Sequence, residues 1–448
     1  MDTGPEQLHR AIGPRALALA TVNAIVGSGI FVLPALVAAD LGAAAVLVYL
    51  LCGVLVFSIS LCLAELGSGT SVSGGPYAYI DRAFGPFAGF LAANLHCFGA
   101  AMVADAAISN VLTGILAGFF PALASGAGRA LFMVSLFSAL AAINISSVRK
   151  GVGFAQFAAL GKLVPLIALV LLATAFVRPA NLAWTVTPSI GNLGAAALLV
   201  FYAFTGCETP LLNGGEMKDP RRTAPRGLLL GLSFVLVLYV GVQLVAQGVL
   251  GAELPGHKAS PLGAVAGVVL GPMGALAIVC VTILSGTGCM GGNMLSTPRI
   301  LYAAGRNGTM PPVLARVHPV ARTPHIAIAV YATIGCCIAL TGEFRQLAII
   351  SSASALLIYL GVVLAMLRER RRAVPGDRDT FRAPGGILVP ALAIAGIVWL
   401  LSNLERKEWI GVGTFLALLG ALYLVSLFVK RRKAARILTA PSLLGGSK

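Results

Sequence analysis

Residues 21–36 read TVNAIVGSGIFVLPAL and residues 201–216 read FYAFTGCETPLLNGGE. Each stretch lies in a long apolar segment, and each carries helix-disfavouring residues near its middle. In the first these are Gly27-Ser28-Gly29, with Pro34 following; in the second they are Gly206, with Pro210 following. Glycines alone also fit a close helix–helix contact made by small residues. A pair of interrupted apolar helices, at matching places in two halves of a chain, instead points to a binding site at mid-depth in a membrane. There, backbone N–H and C=O groups are tolerated without helical partners only beside a cavity or protein.

Composition supports a membrane setting. Of the 448 residues 58% are hydrophobic and 11% charged, and the mean hydropathy is +0.92, whereas soluble domains carry about 25% charged residues. Twelve apolar segments are expected, at about 15–38, 41–64, 86–119, 130–147, 152–176, 192–212, 226–250, 272–298, 325–341, 346–367, 386–402 and 409–429. The net charge of +16 would suggest nucleic acid in a soluble protein, but here the basic residues fall between the apolar segments. With the N-terminus in the cytoplasm, connectors on that side carry 25 of the 32 Lys and Arg and the opposite side carries 6. Lys162 alone lies within a span. Both termini are therefore expected in the cytoplasm, with no nucleic-acid partner and membrane lipid around the chain. The first ten residues, MDTGPEQLHR, lack the apolar core of a signal peptide. The eight cysteines all sit in apolar stretches without a CxxC pair and read as small buried residues.

The expected fold class is an all-α membrane protein of twelve helices. Residues 1–430 form one transmembrane domain and 431–448 a basic cytoplasmic tail. Spans one to five (about 15–176) and six to ten (about 192–367) form an inverted repeat, with helices 1 and 6 broken. Two further helices follow at about 386–429. Five scattered histidines supply neither a metal cluster nor a nucleophile–base pair, so neither an enzyme nor a cofactor is expected. A sensor on the same scaffold would normally bring an added soluble domain.

Ionisable groups within the spans are costly and mark transport pathways. Lys162 has Ala158 and Leu166 four residues away on its helix, so it must lose its proton or find backbone acceptors. The broken first span, Ser285 or Thr287 are the available partners. Asp105 shares a helix face with Asn94, Met102 and Ser109 at α-helical spacing. It would pair with a cationic substrate or bind a proton. His96, nine residues away, falls on the opposite face and reads as structural. Glu208 lies beside the second interruption, where its protonation would reach the gate; Glu65 and Glu216 sit near span ends and read as interfacial or structural.

Six motifs carry a family resemblance: GSGIFVLPA at 27–35, SGGPYAYIDRAFGPFAGF at 73–90, GKLVPLIAL at 161–169, FYAFTGCE at 201–208, MKDPRRTAPRG at 217–227 and STPRILYAAGRNGTMPP at 296–312. Together they resemble the amino acid–polyamine–organocation permeases, which share the leucine-transporter fold. Bacterial proton-coupled amino acid transporters and arginine–agmatine antiporters are closest in pattern. The resemblance implies that the backbone from Ile25 through Gly27, Ser28 and Gly29 to Ile30 holds the amino acid's carboxylate and amino groups. It implies that Tyr202 closes over the substrate, that Ala203, Phe204 and Gly206 line the same pocket, and that Asn293 approaches the distal end. The antiporter has an aromatic residue at that last position and a neutral amide where Asp105 stands. In sodium-coupled members of the fold an ion fills the gap between spans one, five and eight. In proton-coupled relatives a lysine of span five replaces it, which falls on Lys162. The resulting expectation is a sodium-independent secondary transporter of amino acids or amines, proton-coupled or exchanging, that favours cationic substrates; the alternative is a proton-coupled transporter of neutral amino acids. Its location is the plasma membrane, in bacteria the inner membrane.

Overall fold

The computed structural model describes residues 12–69, 75–184, 187–372 and 381–438, with the side chains of 148–152, 154–156, 159–160, 213–215 and 429–438 outside the description. The expected basic tail, together with Arg10 and Arg378, therefore lies outside the described side chains. The described chain is helical, and its one β feature is a bridge between Ile12 and Met217.

The helices are α1 (Pro14–Ile25), α2 (Gly29–Leu41), α3 (Ala45–Ser68), α4 (Gly75–Phe84), α5 (Pro86–Asn94), α6 (Val103–Ala117), α7 (Gly126–Ser146) and α8 (Val148–Ala173). They continue as α9 (Ile190–Phe204), α10 (Pro220–Leu250), α11 (Pro261–Ser296), α12 (Pro298–Arg306), α13 (His325–Thr341), α14 (Phe344–Arg372), α15 (Leu388–Ser402) and α16 (Arg406–Leu438). Each of the twelve apolar segments is carried by helix, with ends that move by up to about a dozen residues from the sequence estimate. Among the described residues, seven helical stretches are long and apolar enough to cross a membrane, and four apolar helices are shorter.

Local chemistry explains many of the boundaries. Pro14, Pro86, Pro220, Pro261 and Pro298 each open a helix, where a missing N–H costs nothing. Ser125 and Ser189 cap α7 and α9 by accepting from Gly128 N and Asn192 N. Gly271, at φ 73°, kinks α11, so that 261–270 forms a separate arm before the long apolar run.

Two departures from regular helix shape the interior. Between α5 and α6 the residues Leu95–Met102 form a π-helix. The second is the pair of interruptions. The first helix stops at Ile25 and resumes at Gly29. The sixth stops at Phe204, then passes through Thr205 (φ −66°, ψ 152°) and Gly206 (φ 100°) before Thr209–Glu216 continues as 3-10 helix.

α1 packs along α10, α10 along α3, and α8 along α11. At one end, Glu65 accepts from Arg370 Nε and Nη2, each at 2.6 Å, and from Ala383 N at 2.7 Å. This pair ties α3 and α14 to the segment before α15. A forked guanidinium–carboxylate pair with a third donor satisfies a part-buried charge well, and it gives Glu65 a structural role.

Candidate functional site

A cavity of about 360 Å³ lies where the two interruptions meet. Its origin can be traced through the last carbonyls of α1, the last helical bond of which ends at Val22 O. Val22 O accepts from Val26 N at 2.9 Å. Asn23 O accepts from Lys162 Nζ at 2.9 Å. Ile25 O lies 3.1 Å from the Tyr239 hydroxyl, which is also 3.0 Å from Ala203 O at the end of α9. One hydroxyl of α10 thus bridges both broken helices. Ala24 O faces Gly206, where a Cβ would come within 2.9 Å of it. Two terminal carbonyls of α1 are therefore held by a lysine of α8 and a tyrosine of α10, and a third faces a glycine.

This arrangement sets opposite partial charges around one space. The C-terminal ends of α1 and α9 present carbonyl oxygens and the N-terminus of α2 presents N–H groups. An ammonium suits the first and a carboxylate the second, which is the pattern of an α-amino acid. Asn23 Oδ1 and Ser28 Oγ are buried, belong to cavity-lining residues, and have no hydrogen-bond partner among the described residues.

Of the residues singled out from sequence, Ile25, Gly27, Ser28 and Gly29 line the cavity on the first break, and Tyr202, Ala203 and Gly206 on the second. Asn293, Lys162 and Glu208 line it as well. Ile30 and Phe204 do not: both are buried in the surrounding core, Phe204 with its ring 5.1 Å from that of Tyr239. Asp105 also stands behind the wall. It is fully buried, its Oδ1 accepting from Asn293 Nδ2 and its Oδ2 from the Tyr331 hydroxyl, each at 2.8 Å. In this structure Asp105 does not line the cavity, and each of its carboxylate oxygens accepts from a protein donor.

Two further expectations change. Ser285 and Thr287 are not acceptors for Lys162. The Thr287 hydroxyl donates to Ile283 O in its own helix at 2.8 Å, and Ser285 Oγ has no partner among the described residues. A threonine in a helix always has the preceding turn's carbonyl within reach. His96 does not face away from the site. It lines the cavity, with Nδ1 3.9 Å from Glu208 Oε1, while Glu208 Oε2 accepts a short hydrogen bond from the Tyr359 hydroxyl. The π segment is the reason: its i→i+5 turns take in an extra residue, so faces counted at α-helical spacing from 96 to 105 fall out of phase.

One end of the cavity is shut. The Tyr202 hydroxyl donates to Ala104 O at 3.2 Å and its ring meets Phe344 edge-on at 5.9 Å. Beyond it Val32, Val111, Ile115 and Val279 form an apolar plug with Ile283 and Phe344. The lining reaches the other way to Ala20, Leu212, Ser296 and Thr297, the end from which α1 starts.

Sequence reasoning missed Tyr239, Tyr331 and Tyr359. Each is the single tyrosine of its apolar segment. A buried tyrosine hydroxyl needs a partner, which flags these residues without naming the partner.

A family profile described as Amino acid permease matches residues 12–429. The chain belongs to the amino acid permease family. The permease is 29% identical to the serine/threonine exchanger SteT of Bacillus subtilis (strain 168), over 97% of this chain and all of that protein. It is 26% identical to the branched-chain amino acid permease BcaP of the same organism, over 97% and 96% of the two chains. It is 29% identical to the Asc-type amino acid transporter 1 of Mus musculus, over 92% and 80%. The permease is thus an integral membrane transporter for amino acids, not an enzyme, and its family implies a leucine-transporter-like fold.

Proposed function

We propose that the permease carries small neutral amino acids by alternating access, without sodium, either as an exchanger or coupled to protons. In this reading twelve spans form two inverted repeats of five plus α15 and α16, both termini lie in the cytoplasm, and the cavity faces the cytoplasm. The observation that carries this reading is the hydrogen bond from Lys162 Nζ to Asn23 O, a fixed cation in the gap between α1, α8 and α11. A cavity that takes in Gly288, Gly292, Ala101 and Ala104 favours small side chains. The engagement of both Asp105 oxygens favours a neutral substrate over a cationic one. Relatives named for serine/threonine exchange and branched-chain amino acids agree with neutral cargo.

The test is uptake of labelled L-serine into proteoliposomes with sodium or choline as the external cation. The expected rates agree within about twofold, because an ammonium that already holds the α1 carbonyl leaves no room for an ion of like charge. A sodium dependence of tenfold or more overturns the reading.

Glu208 is the proposed proton-responsive group. It is 7% exposed, lies against the second interruption and has His96 and Tyr359 as neighbours. Uptake by the parent protein is expected to vary with external pH. Glu208→Gln fixes the neutral form and is expected to flatten that profile. A profile of unchanged shape assigns Glu208 to structure alone.

A further inference from the structure

Asp105 is buried, sits outside the cavity, and donates nothing to it, yet it touches a residue that lines it. Its carboxylate joins three elements: α6, which carries it, α11 through Asn293, and α13 through Tyr331. The side chain of Asn293 has two unlike ends, an NH₂ that donates and a carbonyl oxygen that accepts. The end facing Asp105 is the NH₂, which donates to Oδ1 at 2.8 Å. The carbonyl oxygen Oδ1 is left for the cavity side, where Asn293 is part-exposed.

We infer that Asn293 Oδ1 reads a hydrogen-bond donor on the substrate's side chain, a hydroxyl in an amino acid of this size, and that Asp105 is a positioning residue that fixes which end of the amide faces the substrate. This deepens the reading of the permease as a carrier of small neutral amino acids and rests on it. The neighbours of Asn293 along α11, Cys289 and Gly292, and the alanines 101 and 104 opposite supply no competing charge. A hydroxyl that comes beside Asn293 meets an acceptor flanked by small uncharged residues. A methyl group enters without that bond and leaves the acceptor dry. Tyr331 donates to the other oxygen, Oδ2, and makes no contact with Asn293 in this arrangement.

The test measures dissociation constants of the purified permease for L-serine, L-alanine and L-3-fluoroalanine by ligand-induced thermal stabilisation. Fluoroalanine is close to serine in size and lacks the donor. With the parent protein, serine is expected to bind about fivefold to tenfold more tightly than either analogue, the contribution of one neutral hydrogen bond. In Asp105→Asn the neighbouring amide both donates and accepts, so Asn293 is free to turn over. The serine-to-alanine ratio is expected to fall to about 1–2 while alanine still binds. Tyr331→Phe controls for a merely structural loss: it disturbs the same carboxylate but leaves Oδ1 on Asn293, and the ratio is expected to persist. If serine and fluoroalanine bind equally to the parent protein, the inference fails and the small-neutral reading stands. If none of the three binds, both fail. Because the parent-protein series needs no variant to fold, that first comparison decides even if Asp105→Asn is unstable; a ratio that survives in a folded Asp105→Asn overturns the positioning role.

Discussion

Lys162→Ala is expected to abolish concentrative uptake, with a fall of about 100-fold. Lys162 is 5% exposed and is the one Lys or Arg among the described cavity-lining residues. It holds Asn23 O, a terminal carbonyl of α1 that has no helical partner. Alanine leaves that carbonyl buried and empty and removes a charge-assisted bond of about 1.5–3 kcal/mol, which converts to roughly 10- to 100-fold in the population of the correctly closed break. The cation that stands in for an ion in the proposed mechanism is lost with it. Counterflow exchange of labelled against unlabelled serine, measured beside net accumulation, separates the two effects: exchange persists at a reduced rate while accumulation disappears. Accumulation at the parent level would show that Lys162 only snorkels.

Gly206→Ala is expected to reduce amino acid binding by at least tenfold. Gly206 has φ 100°, a region that residues with a Cβ rarely adopt, and its backbone faces Ala24 O. An added Cβ would lie 2.9 Å from that oxygen, so either the residue keeps a strained conformation, at about 1–3 kcal/mol, or the two interruptions move apart. Movement also separates the Tyr239 hydroxyl from Ile25 O or Ala203 O, the bond that ties them. Gly413→Ala on α16, where the added methyl meets open space, is the control and is expected to bind like the parent. Equal affinity in Gly206→Ala would mean that the second break tolerates a side chain and does not set the site.

How much of this was legible in the sequence depended on which physical rule carried each inference. The interruptions were legible because Gly27-Ser28-Gly29 and Gly206 weaken a helix wherever they occur, and the observed breaks fall there. Lys162 was legible because a lone cation on an apolar helix demands an acceptor, though the sequence offered three partners and the fold uses only the carbonyl of Asn23. His96 was misassigned because counting faces assumes one helical period, and the π turns of 95–102 change it. Asp105 stood out as an ionisable residue within a span and is buried, but its partners Asn293 and Tyr331 come from helices almost 190 and over 220 residues on. No spacing rule reaches that far. Tyr239, which joins both breaks, is one tyrosine in an apolar run, and only the assembled bundle shows what its hydroxyl holds.

The central claim is that an amino acid binds across the two broken helices with Lys162, not a sodium ion, completing the first. A structure of the permease determined with bound L-serine tests it most directly. The account predicts the serine carboxylate at the N-terminus of α2, its ammonium at the carbonyls that end α1 and α9, its hydroxyl toward Asn293, and Lys162 Nζ still on Asn23 O. A ligand seated elsewhere, or a cation between α1, α8 and α11 with Lys162 turned away, would contradict it.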